Sequence, residues 1–338
     1  MTTASTTLRP RTARWLLRLH RPALYGWAGL IVVVAGVQIA LAGPLADAAA
    51  EGWRQFHACG FSARCSYDQA AILRYKDFYD YATYAVDALP FLLAAWAGAA
   101  LTGRELENGT AGLNWVQGIS PARWLTVRLA LPALLATTGG CLLFWLHHRA
   151  WSAGQGRIDT AKSWSELVTF QANGPTSVAL TLAGLTAGAL AGLLLRRTLP
   201  ALVLGVAITG AVAVLAQRLM PYLWPAVTQV TSLQQGGVGQ GIVLEQGLVA
   251  KSGGHLPLPQ CSTEAACDAA LAKASGYYGV YHPYSHYWPL QLTTTTLILA
   301  VTGLLVLGCV LLLRRQTGTL RSAAPAGRVE GSLVGAAA

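Results

Sequence analysis

Two pairs of cysteines have the spacing to form covalent cross-links. They occur in CGFSARC, with Cys59 and Cys65, and in CSTEAAC, with Cys261 and Cys267. Four cysteines allow three pairings, but the equal short spacing favours two local disulfides, Cys59–Cys65 and Cys261–Cys267. A zinc site is the alternative, and it usually needs closer ligand pairs such as C-x2-4-C. We therefore expect disulfides in an oxidising compartment, and no metal site.

The histidines do not combine into a catalytic site. His147 and His148 end one apolar segment, and His282 and His286 precede another. Pro283 argues against a helix that would place His282 and His286 on one face, so all four are expected to be solvated at a membrane interface. The sequence also lacks a phosphate-binding loop, G-x-S-x-G and H-E-x-x-H. We expect neither an enzyme activity nor a bound cofactor in this chain.

Asp87 is an acidic residue inside an apolar segment. A carboxylate is costly in the hydrocarbon region of a bilayer, so it marks a functional position by default. The residue lies near the end of its segment, where local hydration is a sufficient alternative explanation. Asp87 is therefore a candidate for a substrate path, while the scarcity of other ionisable residues in the apolar segments argues against ion coupling.

The composition places the chain among membrane proteins. Hydrophobic residues make up 54% and charged residues 11% of the chain, whereas a soluble domain carries roughly 25% charged residues. We predict an all-α membrane protein with six transmembrane helices, joined outside by loops 46–81, 147–175 and 217–291. The six apolar segments, each close to the roughly 20 residues that cross a bilayer, are 23–45, 82–103, 125–146, 176–195, 199–216 and 292–313.

The distribution of arginine predicts which side of the membrane is cytoplasmic. Alternating crossings put both chain ends, the segment 104–124 and the Arg196-Arg197 turn on one side, which is rich in arginine. We therefore place both termini in the cytoplasm of a multi-pass cell-membrane protein. The net charge of +10 reflects this topology and not nucleic-acid binding. The membrane domain spans 23–316, and the tail 317–338 is expected to be disordered.

The first 22 residues carry a basic helical stripe. Its spacing of three and four residues predicts an amphipathic helix that lies at the cytoplasmic interface. Such a helix is either a topology anchor or also a contact for a cytoplasmic partner. The stripe consists of Arg11, Arg14, Arg18 and Arg21, and Trp15 lies roughly opposite.

The polar stretch RELENGTAGLNWVQGISPARW, residues 104–124, separates the second and third apolar segments. Asn108 or Thr110 could cap a short helix there. Ser120 could cap the third transmembrane helix, with Pro121 at its first position. The pattern favours an ordered helix that presents a tryptophan to a soluble partner, and an interfacial turn is the alternative.

The same stretch resembles the permease subunits of ABC-2 type transporters, particularly the actinobacterial ones. The motif begins at Gly98 and Ala99, and a second similar motif, HPYSHYWPLQ, precedes the last segment. His282 and His286 depart from the usual residues there, and Thr293-Thr294 replaces a frequent acidic residue. The matching positions of the stretch are Arg104, Glu105, Glu107, Gly109, Thr110, Trp115, Gln117, Arg123 and Trp124.

The resemblance implies one subunit of an ATP-driven exporter. Two six-span permease subunits would associate with two separate ABC ATPase subunits, which bind ATP and Mg. The helix between spans two and three would be the coupling helix seated in the ATPase. The cargo would be a hydrophobic compound such as a drug, antibiotic, peptide or lipid. A non-transporting membrane sensor, or an accessory or immunity protein, is the alternative.

Overall fold

The computed structural model describes residues 21–60, 66–117, 120–237, 239–261 and 263–322. Arg21 begins the first helix, whereas the rest of the predicted amphipathic helix and the tail beyond residue 322 lie outside the described residues. Cys65 also lies outside them, so the Cys59–Cys65 disulfide stays a prediction. The helix residues outside this range are Arg11, Arg14, Trp15 and Arg18.

Six described helices are long and apolar enough to cross a membrane. This confirms the predicted number of spans. Several helices continue beyond the predicted apolar segments, because polar residues extend them by further turns. Their bounds are Arg21–Ala42 for span 1, Gln69–Trp96 for span 2, Pro121–Gly154 for span 3, Pro175–Leu195 for span 4, Thr198–Leu219 for span 5 and Tyr287–Ser322 for span 6.

The first predicted loop is largely helical. Gly43 separates span 1 from a second helix, Pro44–Ala58, which begins with a proline at its first position. Ala46 and Ala49 of this helix are fully buried among residues of spans 2, 3 and 6 at one end of the bundle. The loop 147–175 similarly includes the end of span 3 and a short helix, Leu167–Ala172.

Ion pairs bind the connecting segments together at this end of the molecule. Arg157 contacts Asp47 at 2.7 Å. Lys162 lies 3.3 Å from Glu166 and 3.7 Å from Asp80. Partial burial opposes the charged form of Lys162, but the two carboxylates outweigh it and raise the pKa of Lys162 above its usual value. The lysine therefore stays charged and links the segment after span 3 to span 2.

Span 4 lies at the centre of the bundle and contacts spans 2, 3, 5 and 6. Small residues permit this close packing. A Cβ atom added to Gly188 would come within 3.0 Å of the Ala94 carbonyl carbon, and one added to Gly205 would come within 2.8 Å of Gly188 Cα. Glycines of spans 4 and 5 thus let backbone touch backbone.

The all-α prediction was wrong for residues 217–291, which contain an antiparallel sheet. Stretches such as VTQVTS are rich in β-branched residues and too short for a span, so a search for long apolar runs misses them. The same region also contains a helix, Glu264–Leu271. The strands are β1 Val227–Ser232, β2 Ile242–Ala250, β3 His255–Pro257 and β4 Ala274–His282. Their order across the sheet is β1-β4-β2-β3.

Cys261 and Cys267 flank the start of the helix Glu264–Leu271. Their Cα atoms lie 5.3 Å apart and the structure joins their side chains. Thr263 caps the helix by accepting a hydrogen bond from the Ala266 amide at 3.3 Å. The local pairing therefore brackets one helical turn beside the sheet.

Span 2 is followed without a break by a π-helical segment, Ala97–Gly103, and then by a single turn, Arg104–Glu107. π-helical turns are rare and often occur near functional sites. The buried Thr102 hydroxyl lies 3.3 Å from the carbonyl oxygens of Ala97 and Ala189, so it ties this turn to span 4. The segment positions the polar stretch that follows.

Candidate coupling site between spans 2 and 3

A short helix, Thr110–Val116, lies between spans 2 and 3 as predicted. Its expected capping by Asn108 or Thr110 was wrong. Gly109 precedes the helix with φ at 70°, a left-handed conformation that glycine adopts without strain. The Thr110 hydroxyl instead donates to the Glu105 carbonyl oxygen at 3.1 Å. The predicted cap of span 3 is confirmed, because Ser120 Oγ accepts from the Arg123 amide.

The short helix presents aliphatic side chains outward. Leu113 is 63% exposed and Val116 is 87% exposed, and they are three residues apart on one face. The expectation that Trp115 points outward was wrong, because its ring packs edge-to-face on Trp124 with centroids 5.9 Å apart. Trp115 therefore fastens the helix to span 3, and sequence analysis did not single out the two residues that form the exposed face.

An ion pair joins the polar stretch to span 3. Glu105 contacts Arg128, whose side chain is only 6% exposed, while that of Glu105 is 16% exposed. The Arg128 guanidinium also lies 6.0 Å from the centre of the Trp124 ring. Arg128 was not among the predicted site residues, since on sequence it is one of several arginines near the membrane boundary. No local sequence pattern connects Arg128 with Glu105.

Glu107 joins the stretch to span 5. Its carboxylate accepts hydrogen bonds from the Thr198 amide at 2.9 Å and from the Thr198 hydroxyl at 2.5 Å. Thr198 is the first residue of span 5, where a helix has free amide groups and favours negative charge. Sequence analysis missed Thr198, because the two residues are far apart in the chain and no local pattern connects them.

Exposed polar side chains occur in the same stretch as the short helix and in the turn between spans 4 and 5. Arg104, Gln117 and Arg123 are exposed, and so are Arg196 and Arg197 in the turn between spans 4 and 5. The Glu107–Thr198 contact brings that turn next to the polar stretch. The predicted site residues thus divide into an internal group that holds the segment and an external group available to a partner.

Asp87 lies in span 2 in a polar part of the bundle. One of its carboxylate oxygens, Oδ1, is buried without a hydrogen-bond partner among the described residues. Gln171 approaches the same side chain, and Gln217 of span 5 donates to Gln171 Oε1 at 3.2 Å. Asp87 therefore faces amide side chains inside the protein.

The expectation of solvated histidines was wrong for His147 and His282, which are fully buried. His147 lies 2.9 Å from the Thr83 hydroxyl and 2.5 Å from Asn173 Oδ1. His282 Nε2 donates to the Pro221 carbonyl at 2.8 Å. Both join segments of the fold, and no cluster of metal ligands occurs among the described residues.

Part of the chain matches the profile of a known protein family. The profile of a family described as ABC-2 membrane transporter related matches residues 28–221. This range covers more than half of the chain and includes the whole polar stretch between spans 2 and 3. No curated protein and no solved structure matches the chain.

Proposed function

Because the chain belongs to the ABC-2 membrane transporter related family, we propose that it is the permease subunit of an ATP-driven exporter. Family membership and the six spans make it a multi-pass membrane component of a transport system. The family implies an ABC ATPase partner, and such a membrane component is typically not catalytic itself. In our proposal the partner binds ATP and Mg, and two permease subunits form the membrane pathway.

The observation that carries the proposal is the exposed pair Leu113 and Val116 on a firmly held helix. Exposed aliphatic residues bordered by charged ones are typical of a protein contact. We propose that an ATPase groove receives this face, while Arg104, Gln117 and Arg123 contact its polar rim. A cytoplasmic position of this end follows from its arginine content, and the opposite end with the sheet is then external and suited to disulfides.

The internal contacts provide a path for motion. Glu105 connects the segment to span 3 through Arg128, and Glu107 connects it to span 5 through Thr198. A displacement of the short helix by the ATPase would therefore move two spans together. Nucleotide binding would then shift the population between two arrangements of the membrane helices, because the ATPase would interact differently with each arrangement.

The cargo is proposed to be a hydrophobic compound such as a drug, antibiotic, peptide or lipid. Asp87 is the proposed polar contact along its path, because its Oδ1 is buried in the bundle without a hydrogen-bond partner in the described part of the chain. Asp87→Asn is expected to alter export while the ATPase stays bound. Unchanged export by this variant would remove Asp87 from the path.

Co-purification of the cognate ATPase tests the docking face. Val116→Asp should reduce the bound ATPase by at least about tenfold, because it places a charge in an apolar contact worth roughly 2 kcal/mol. Val230→Asp is the matched control, since Val230 is 62% exposed on β1 at the other end of the molecule. Equal retention of the ATPase by both variants would contradict docking at the short helix.

The same preparation distinguishes transport from the sensor or accessory reading. An exporter subunit should change the rate at which its bound ATPase hydrolyses ATP after reconstitution into liposomes. A chain that binds no ATPase, and leaves hydrolysis by the added ATPase unchanged, would support the non-transporting alternative.

A further inference from the structure

Spans 1, 2 and 3 enclose a groove that the transport mechanism above does not use. Its volume is about 230 Å³, and its walls are almost entirely apolar. It opens at the surface of the bundle, where the lining residue Leu92 is 53% exposed. Aromatic and aliphatic side chains form most of the wall, among them Trp27, Leu30, Leu92, Trp96, Leu131 and Leu135.

The groove has one polar end. Arg128 is the charged side chain of its lining, and it lies on the side that carries the polar stretch 104–117. Glu105 balances its charge, so this end is polar without strong net charge. From Arg128 to Leu135 the wall follows two helical turns of span 3, a depth of about 10 Å. The rest of that depth is lined by apolar residues of three helices.

An apolar groove with one polar end matches a phospholipid, which has apolar chains and a polar headgroup. We propose that the groove binds one acyl chain of a phospholipid, with the headgroup beside the Glu105–Arg128 pair and the chain along Trp27 and Leu30. Because the surrounding medium is hydrocarbon, an apolar cleft that opens sideways is accessible to lipid tails. The lipid would come from the inner leaflet. This origin rests on the proposed cytoplasmic position of the basic end.

Gly26 allows the groove to be filled without disturbing the backbone. It lines the groove, and a Cβ atom added there meets no atom of the described residues within 4 Å. Gly29 on the same helix also has no atom within 4 Å of an added Cβ, but it does not line the groove. Gly26→Leu and Gly29→Leu are therefore a matched pair, and leucine favours the helix at both positions.

The test uses a phospholipid that carries a photoreactive diazirine on one acyl chain, with the full-length chain reconstituted into lipid nanodiscs. Mass spectrometry of cross-linked peptides is expected to map the label to spans 1, 2 and 3 around Trp27 and Leu131. Gly26→Leu should decrease this labelling by at least about fivefold, and Gly29→Leu should leave it unchanged. Equal labelling of both variants, or uniform labelling of all exposed apolar faces, would overturn the proposal.

Two other occupants have their own outcomes in this experiment. If deletion of residues 2–20 exposed the groove to the probe and no labelling occurred before deletion, the chain's own first segment would fill it. Cross-links from the groove to a second copy would assign it to a subunit contact. Either result overturns lipid binding, and neither affects the ATPase docking proposal, because the experiment contains no ATPase.

Discussion

At the scale of single residues, two carboxylates of the motif act within the chain. Glu105 pairs with Arg128, and Glu107 caps span 5 at Thr198. In a sequence motif both acids look like surface charges offered to a partner. The structure instead uses them to hold the segment that carries Leu113 and Val116. The two carboxylates thus attach the short helix and its segment to spans 3 and 5.

Arg128→Ala should destabilise the protein more than the loss of one exposed ion pair would. The variant leaves the carboxylate of Glu105 unpaired and largely buried, which costs about 3 kcal/mol. Adding Glu105→Gln should recover much of this loss, since the amide needs no counter-ion. Thermal unfolding in detergent measures both variants, and a double variant no more stable than Arg128→Ala would argue against the pair.

At the scale of elements, close backbone contact fixes where span 4 lies. Gly188 approaches Ala94 of span 2 and also Gly205 of span 5. The short helix depends on this arrangement indirectly, because the π-helical turn of span 2 binds span 4 through Thr102. The packing of span 4 at the centre of the bundle therefore fixes the position of the docking face.

Gly188→Val should separate spans 2 and 4 and destabilise the fold by about 2 kcal/mol or more, because the added atoms meet backbone that cannot yield. Gly303→Val in span 6 is the control, since an added Cβ there meets nothing within 4 Å. Detergent-solubilised protein is compared by size-exclusion chromatography and thermal unfolding. A similar midpoint for the two variants would contradict tight packing at Gly188.

Some of these elements can be predicted from the sequence, and others cannot. Apolar length predicts the six spans, and the cap at Ser120 and Pro121 predicts the start of span 3, because both signals are local. The sheet was missed because its strands are short and lie between polar loops. The inward position of Trp115 was missed because it depends on Trp124 across a turn, and no periodicity within a seven-residue helix reveals that contact.

At the scale of the whole molecule, the two ends differ in kind. One end carries the short helix, exposed arginines and the turn between spans 4 and 5, whereas the other carries the sheet and paired cysteines. In our proposal the first end receives the ATPase and the second faces outside. The groove between spans 1, 2 and 3 adds a lipid contact that shares Arg128 with the coupling segment.

The most direct test of the central claim is photo-cross-linking from the docking face. A benzoylphenylalanine at Val116 is predicted to capture the cognate ATPase in membranes, because this side chain is 87% exposed at the centre of the proposed contact. The same residue placed at Val230 should capture none. A Val116 probe that never reaches the ATPase, in a preparation where the ATPase co-purifies with the chain, would contradict the account.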